Sequence, residues 1–112
     1  MKTPPYIDCC RMPELQVLRT LYESRHDVEA LQQCQSCHAY WFYRFHEYTN
    51  WSTGDGDLTS WFSPVSSEEG AQLHTATDPS RIDLTFLATR SCWMDDNGCI
   101  RRVGGGPVNP WS

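Results

Sequence analysis

Apolar and polar positions change period along this chain, and the changes mark its elements. Pro4 and Pro5 keep the start extended. Pro13 and Glu14 suit a first helical turn, and Leu15, Leu18, Leu21 and Tyr22 then fall on one stripe. That spacing predicts a helix near 13–24. Ser24 to Asp27 interrupts it, and Asp27 can cap a further short turn through Val28 and Leu31 that ends near Cys34. From Ala39 to Tyr48 the chain becomes aromatic, with strong strand propensity. Alternation puts Tyr40, Phe42, Arg44, His46 and Tyr48 on one face and Trp41, Tyr43, Phe45 and Glu47 on the other. Aromatics on both faces predict cover on both sides near the start of this strand.

Asn50 to Asp57, with Gly54 and Gly56, reads as a turn-rich loop, and Leu58 to Phe62 as a second strand of a hairpin. Ser66 and Glu69 have capping-box spacing, and Val65 can staple onto the first turn, so a helix is expected near 66–76. Asp78, Pro79 and Ser80 break it. Asp83 can cap a last short helix carrying Leu84, Phe86, Leu87 and Ala88. Asn97-Gly98 predicts a hairpin over residues 92–103. A flexible C-terminal tail is expected from about residue 104, where Gly104 to Pro107 and Pro110 follow. This order predicts a single α+β domain over residues 1–112. Its core would be a small, mainly antiparallel sheet packed by two or three short helices, with metal stabilisation.

Composition narrows the class. A chain of 112 residues suits one domain, small enough that a metal ion or disulfides would help it. Apolar content is only 39%, and five Trp, five Tyr and four Phe supply much of the burial. No stretch approaches the roughly 20 apolar residues of a membrane span. The first residues show no apolar leader, which points to the cytoplasm and to reduced thiols. Acidic groups outnumber basic ones, for a net charge of −5. That balance argues against a nucleic-acid binder and suits a basic protein partner.

The cysteines carry the main candidate chemistry. They stand at 9, 10, 34, 37, 92 and 99. Cys34-x-x-Cys37 is half of a zinc-binding pattern, because thiolates at such a turn can share one ion. Tetrahedral zinc needs two more ligands; Cys9 or Cys10 would supply one or both, with Cys99, His38 and His46 in reserve. Three other readings compete. One leaves the thiols reduced and partly buried, the leading reading for Cys92 and Cys99. Cys34-x-x-Cys37-His38 also matches a c-type haem attachment, with His38 proximal and Met94 distal. Redox chemistry is the last reading, although a redox C-x-x-C normally follows a strand and opens a helix.

Catalytic motifs are absent: there is no G-x-S-x-G, no phosphate loop, no H-E-x-x-H and no dinucleotide fingerprint. His46 and Glu47 point to opposite faces of a strand and cannot act on one atom. Asp55-Gly56-Asp57 lacks the remaining ligands of a calcium loop. Trp51 and Trp61 bracket the polar loop, where tryptophan beside Asp suits protein binding. The candidate contact is Trp51, Asp55, Asp57, Trp61, Asp95 and Asp96; the competing reading makes the tryptophans caps on a small core.

The block from Cys34 to Phe62, with Asp95-Asp96-Asn97-Gly98 and the Trp111-Ser112 end, resembles small uncharacterised bacterial proteins. These place C-x-x-C-(Gly)-x-Tyr-Trp before an aromatic strand and an acidic loop, and some look like immunity proteins of toxin systems. His38 stands where that pattern has Gly. The missing catalytic motifs, the acidic balance and the aromatics beside acidic loops point to a non-enzymatic inhibitor or immunity protein that blocks a basic enzyme, here with a structural zinc site. The rival expectation is a small metal- or redox-dependent enzyme using Cys34 and Cys37.

Overall fold

The aromatic run forms the expected strand, and the rest of the chain is arranged around it. The computed structural model describes residues 6–25, 27–49, 56–78, 87, 90–96 and 99–104. They form β1 (Leu15–Glu23), β2 (Asp27–Cys34), β3 (Tyr40–Thr49), β4 (Gly56–Val65), α1 (Ser67–Thr75), β5 (Ser91–Asp96) and β6 (Cys99–Gly104). The strands make one sheet in the order β1-β2-β3-β4-β5-β6, each antiparallel to the next. The β3–β4 and β5–β6 pairings were expected. The two remaining strands were not.

The helix predicted near 13–24 is β1, and the short turn after it is β2. The fold is therefore an antiparallel sheet with one short helix among the described residues, not a sheet packed by two or three helices. The physical reason lies in two β-bulges. Register shifts occur between Val17 and Arg19 and between Thr20 and Tyr22, so Leu18 and Leu21 are the extra residues. A bulge breaks the two-residue period of a strand. Both leucines consequently pack into the helix-side core, and their three-residue spacing imitates a helical stripe. The helix proposed after Asp83 lies outside the described residues except for Leu87, which is buried. The proposed tail also lies outside them, β6 ending at Gly104.

Two cores flank the sheet, as the two aromatic faces of β3 require. On one side Leu21, Leu31, Phe42, Val65, Leu73 and Leu87 pack together, with Leu18 and Tyr40 against them. α1 lies over β1, β2 and β3 on this side. Its capping box forms as predicted: Glu69 N–H donates to Ser66 Oγ (3.1 Å) and Ser66 N–H to Glu69 Oε1 (2.8 Å). Val65 joins the core rather than stapling the first turn, since the staple position is Gly70. Arg19 reaches up from β1 to the carbonyls of Leu73 (3.1 Å) and His74 (3.0 Å), satisfying the helix C-terminus. On the other side Ile7, Leu15, Cys34, Trp41 and Phe62 form a second core, with Tyr6, Cys9, Cys10, Tyr43 and Trp93 around it. There the cover is the N-terminal segment, not a helix.

Candidate metal centre

Residues 6–12 cross the second face as a strap without strand pairing. Tyr6 packs edge-on against Phe62 (5.9 Å) and beside Trp93 (5.7 Å). Asp8 accepts from Arg102 (3.2 Å) and from Trp93 Nε1 (3.4 Å), holding the strap to β5 and β6. At its other end Ser36 Oγ donates to the Met12 carbonyl (2.7 Å), and Gln35 N–H to the Glu14 carbonyl (2.7 Å). These contacts lay Cys9 and Cys10 on the turn that joins β2 to β3.

The result brings together four of the six cysteines. The sulfurs of Cys9, Cys10, Cys34 and Cys37 all lie within 4.8 Å of one another. Cys10 and Cys34 stand 3.8 Å apart. Metal–sulfur bonds of about 2.3 Å at tetrahedral angles give sulfur–sulfur edges of about 3.8 Å. A disulfide needs about 2.05 Å, and all four thiols are free. This group can hold one metal ion, and both adjacent cysteines of the strap belong to it.

The surroundings favour negative charge. Cys34 is fully buried, and burial alone would raise its thiol. The backbone N–H groups of Glu14, Cys37 and Ser36, with the Cys9 thiol, outweigh burial and hold Cys34 at about 6. The Glu14 N–H lies 3.4 Å from that sulfur. Burial pushes the Cys9 thiol up to about 12 against the opposing pull of Trp41, with Cys37 and Cys34 raising it further. Cys10 is raised as well, first by burial. Without an ion, therefore, the most readily formed thiolate of the shifted thiols is that of Cys34. Gln32 Nε2 is a buried N–H donor without a hydrogen-bond partner, and Trp41 Nε1 is a buried N–H donor whose pull on Cys9 falls short of a full hydrogen bond. They belong to paired residues of β3 and β2, Gln32 lying two positions before Cys34. Such donors suit a nearby anionic thiolate group better than neutral thiols.

His38 follows the turn with a φ of 67°, and its N–H donates to the Cys34 carbonyl (2.8 Å). The left-handed region favours Gly, so the Gly of the resembling pattern has a physical reason. His38 does not join the sulfur group. Nor does His46, whose Nδ1 bonds the Asp27 carboxylate, or Cys99, exposed on β6. Cys92 is buried and pairs in register with Val103, while Cys99 pairs with Asp96, so the two are not cross-strand neighbours.

The proposed partner contact is not gathered on one face. Trp51 and Asp55 lie outside the described residues. Asp57 stands in β4 opposite Tyr48, and Asp96 in β5 opposite Cys99. Trp61 faces the helix side, under the Arg44 guanidinium at 5.9 Å. Asp95 faces the strap side, where burial and then its charge raise the Tyr6 hydroxyl. One group escaped the sequence reading. Fully buried Arg44 pairs with Glu29 (2.8 Å) and Asp27 (3.7 Å), and Asp27 also binds His46. Burial raises Glu29, against the pull of Arg44. Alternate acidic positions 27 and 29 facing 44 and 46 would have revealed it, had β2 been read as a strand.

No protein family, curated protein or solved structure matches the chain. No helix among the described residues is long and apolar enough to cross a membrane.

Proposed function

We propose that Cys9, Cys10, Cys34 and Cys37 bind one zinc ion as a structural centre. The observation that carries this reading is the gathering of four sulfurs within 4.8 Å of one another, with Cys10 and Cys34 at 3.8 Å, the edge length of a metal tetrathiolate. A bound dication would deprotonate its thiols, and the inward N–H groups would then meet full thiolate charge. Four protein ligands leave no open position, which suits a structural rather than a catalytic ion. Iron accepts the same donors, so elemental analysis of protein purified without chelator is the test. One zinc per chain is the expected result. Red, iron-loaded protein, or metal-free protein with residues 6–12 in place, refutes it. Replacing Cys34 and Cys37 by Ser separates this reading from a thiol enzyme. A structural centre loses stability, whereas an enzyme stays folded and loses activity.

On this scaffold we place a protein-binding role, as an inhibitor or immunity protein for a basic enzyme. Its support is the net charge of −5, which steers a basic partner toward the protein. Trp61 and Asp95 face opposite sides, so a partner docks on one of them. For a candidate basic nuclease, either Trp61→Ala or Asp95→Ala should weaken binding. Normal binding by both folded variants, or equal losses from both, removes this contact.

A further inference from the structure

We propose that Cys37 is a modification site for hydroperoxides, through which oxidation ejects the metal and frees the strap. The inference rests on the zinc reading above and adds a reaction to it. The ligand group is graded by exposure: Cys34 is buried, Cys9 and Cys10 are half-buried, and Cys37 is exposed. An oxidant arriving from solvent meets Cys37 first. Cys37 also sits in one tight turn with Cys34, closed by the His38 N–H bond to the Cys34 carbonyl at 2.8 Å. That turn brings the two sulfurs within 4.8 Å. Susceptibility to peroxide follows thiolate character and access, and a neighbouring thiolate turns the first product into a disulfide.

The step balances as follows. The Cys37 thiolate attacks one peroxide oxygen, an S–O bond forms and the O–O bond breaks. The alkoxide leaves and takes a proton from solvent. Cys37 becomes a sulfenic acid, oxidised by two electrons, and the hydroperoxide becomes an alcohol. The Cys34 thiolate then attacks the Cys37 sulfur, the S–O bond breaks and hydroxide leaves to become water. Two thiolates, one hydroperoxide and two protons give one disulfide, one alcohol and one water. The ion keeps only Cys9 and Cys10 and dissociates. A Cys34–Cys37 bridge lies wholly within the β2–β3 turn, so it does not hold the strap. Oxidation would therefore uncover Trp41 and Phe62, each almost wholly buried beneath residues 6–12.

The test uses full-length protein shown to carry zinc, with tert-butyl hydroperoxide as the probe. Zinc release is followed with a colorimetric chelator, and disulfides are mapped by mass spectrometry. One hydroperoxide per chain should release one zinc and yield a Cys34–Cys37 peptide pair. Cys99→Ser removes the other exposed thiol and should leave both results unchanged. Zinc retained at tenfold excess of peroxide overturns the inference while leaving the zinc centre intact. Loss of the response in Cys99→Ser, or a bridge from the turn to Cys9 or Cys10, also overturns it. Protein that never carries metal overturns both this inference and the centre on which it rests.

Discussion

Removing the ion should release the strap and leave the sheet folded, and the magnitudes show why. Ordering the seven backbone residues Tyr6 to Met12 costs about 7–14 kcal/mol, at roughly 1–2 kcal/mol each. Burying Ile7, which is 4% exposed, and packing Tyr6 on Phe62 and Trp93 return about 1.5–3 kcal/mol each. Cys9 and Cys10 add roughly 1 kcal/mol each as small apolar groups. The Ser36–Met12 bond adds about 1 kcal/mol, and the exposed Asp8–Arg102 pair adds little after screening. The gains, about 6–9 kcal/mol, reach only the lower part of the cost, so the metal-free strap is at best near balance. Structural zinc contributes about 10–16 kcal/mol at neutral pH, enough to decide the outcome. β3 and β4 have their own ladder from Tyr40↔Val65 to Thr49↔Gly56 and a separate helix-side core. Hydrogen exchange with and without a strong chelator is the assay. Amides of residues 6–12 should lose protection by a hundredfold or more, while those of Phe42, Arg44 and Phe62 stay slow. Uniform loss across the sheet, or an unchanged strap, refutes the reasoning.

Three further outcomes follow from particular contacts. Ala normally improves a helix by about 1 kcal/mol over Gly, but a Cβ at Gly70 would meet the Tyr40 ring carbons at 2.3, 2.5 and 2.8 Å. Overpacking of about 1–3 kcal/mol should win, so Gly70→Ala lowers the thermal midpoint by a few degrees; a higher midpoint contradicts the helix position. Arg90 holds the Glu69 carboxyl at about 2 through paired bonds of 2.5 and 2.9 Å. The folded value lies below the unfolded 4.5, so this stability is present above pH 4.5 and lost as pH falls through 2. Both side chains are partly exposed, which leaves about 1–2 kcal/mol after screening; Glu69→Gln should flatten denaturation midpoints between those pH values. His38→Gly relieves about 1 kcal/mol of left-handed strain against a smaller entropic loss; its urea midpoint should rise with metal content unchanged, whereas lost metal makes His38 a ligand after all.

What was legible in the chain follows from which signals are local. The aromatic alternation of residues 39–48, the Ser66–Glu69 box and the hairpin over 92–103 are set by neighbours in sequence, and all three appear in the structure. β1 was illegible because bulges exist only where two strands meet. Leu18 and Leu21 reach the core through register shifts that no single-strand periodicity encodes. The cysteine group was legible in its four members but not in its geometry. Cys34-x-x-Cys37 announces itself, whereas the joint reach of Cys9 and Cys10 depends on the path of the strap between Met12 and Asp8. Arg44 was hidden for the same reason as β1, since its carboxylate partners sit on the unrecognised β2.

That path gives the protein two cores with different dependence on the cysteine group. The helix-side core is closed, apart from Leu87, by residues that strand pairing and the capped helix already fix. The strap-side core is closed by a segment with no ladder of its own, attached at Asp8 and at the cysteines. The Asp8–Arg102 contact is an exposed ion pair, worth little by itself. Beyond the packing of Tyr6 and Ile7, the sulfur end would therefore carry most of the attachment once an ion is bound. Whatever acts on those four thiols acts on the burial of Trp41 and Phe62, with β3 and β4 as a fixed frame beneath them. On the proposed zinc reading, a small domain that buries little surface by packing alone would make one of its two faces conditional on an ion.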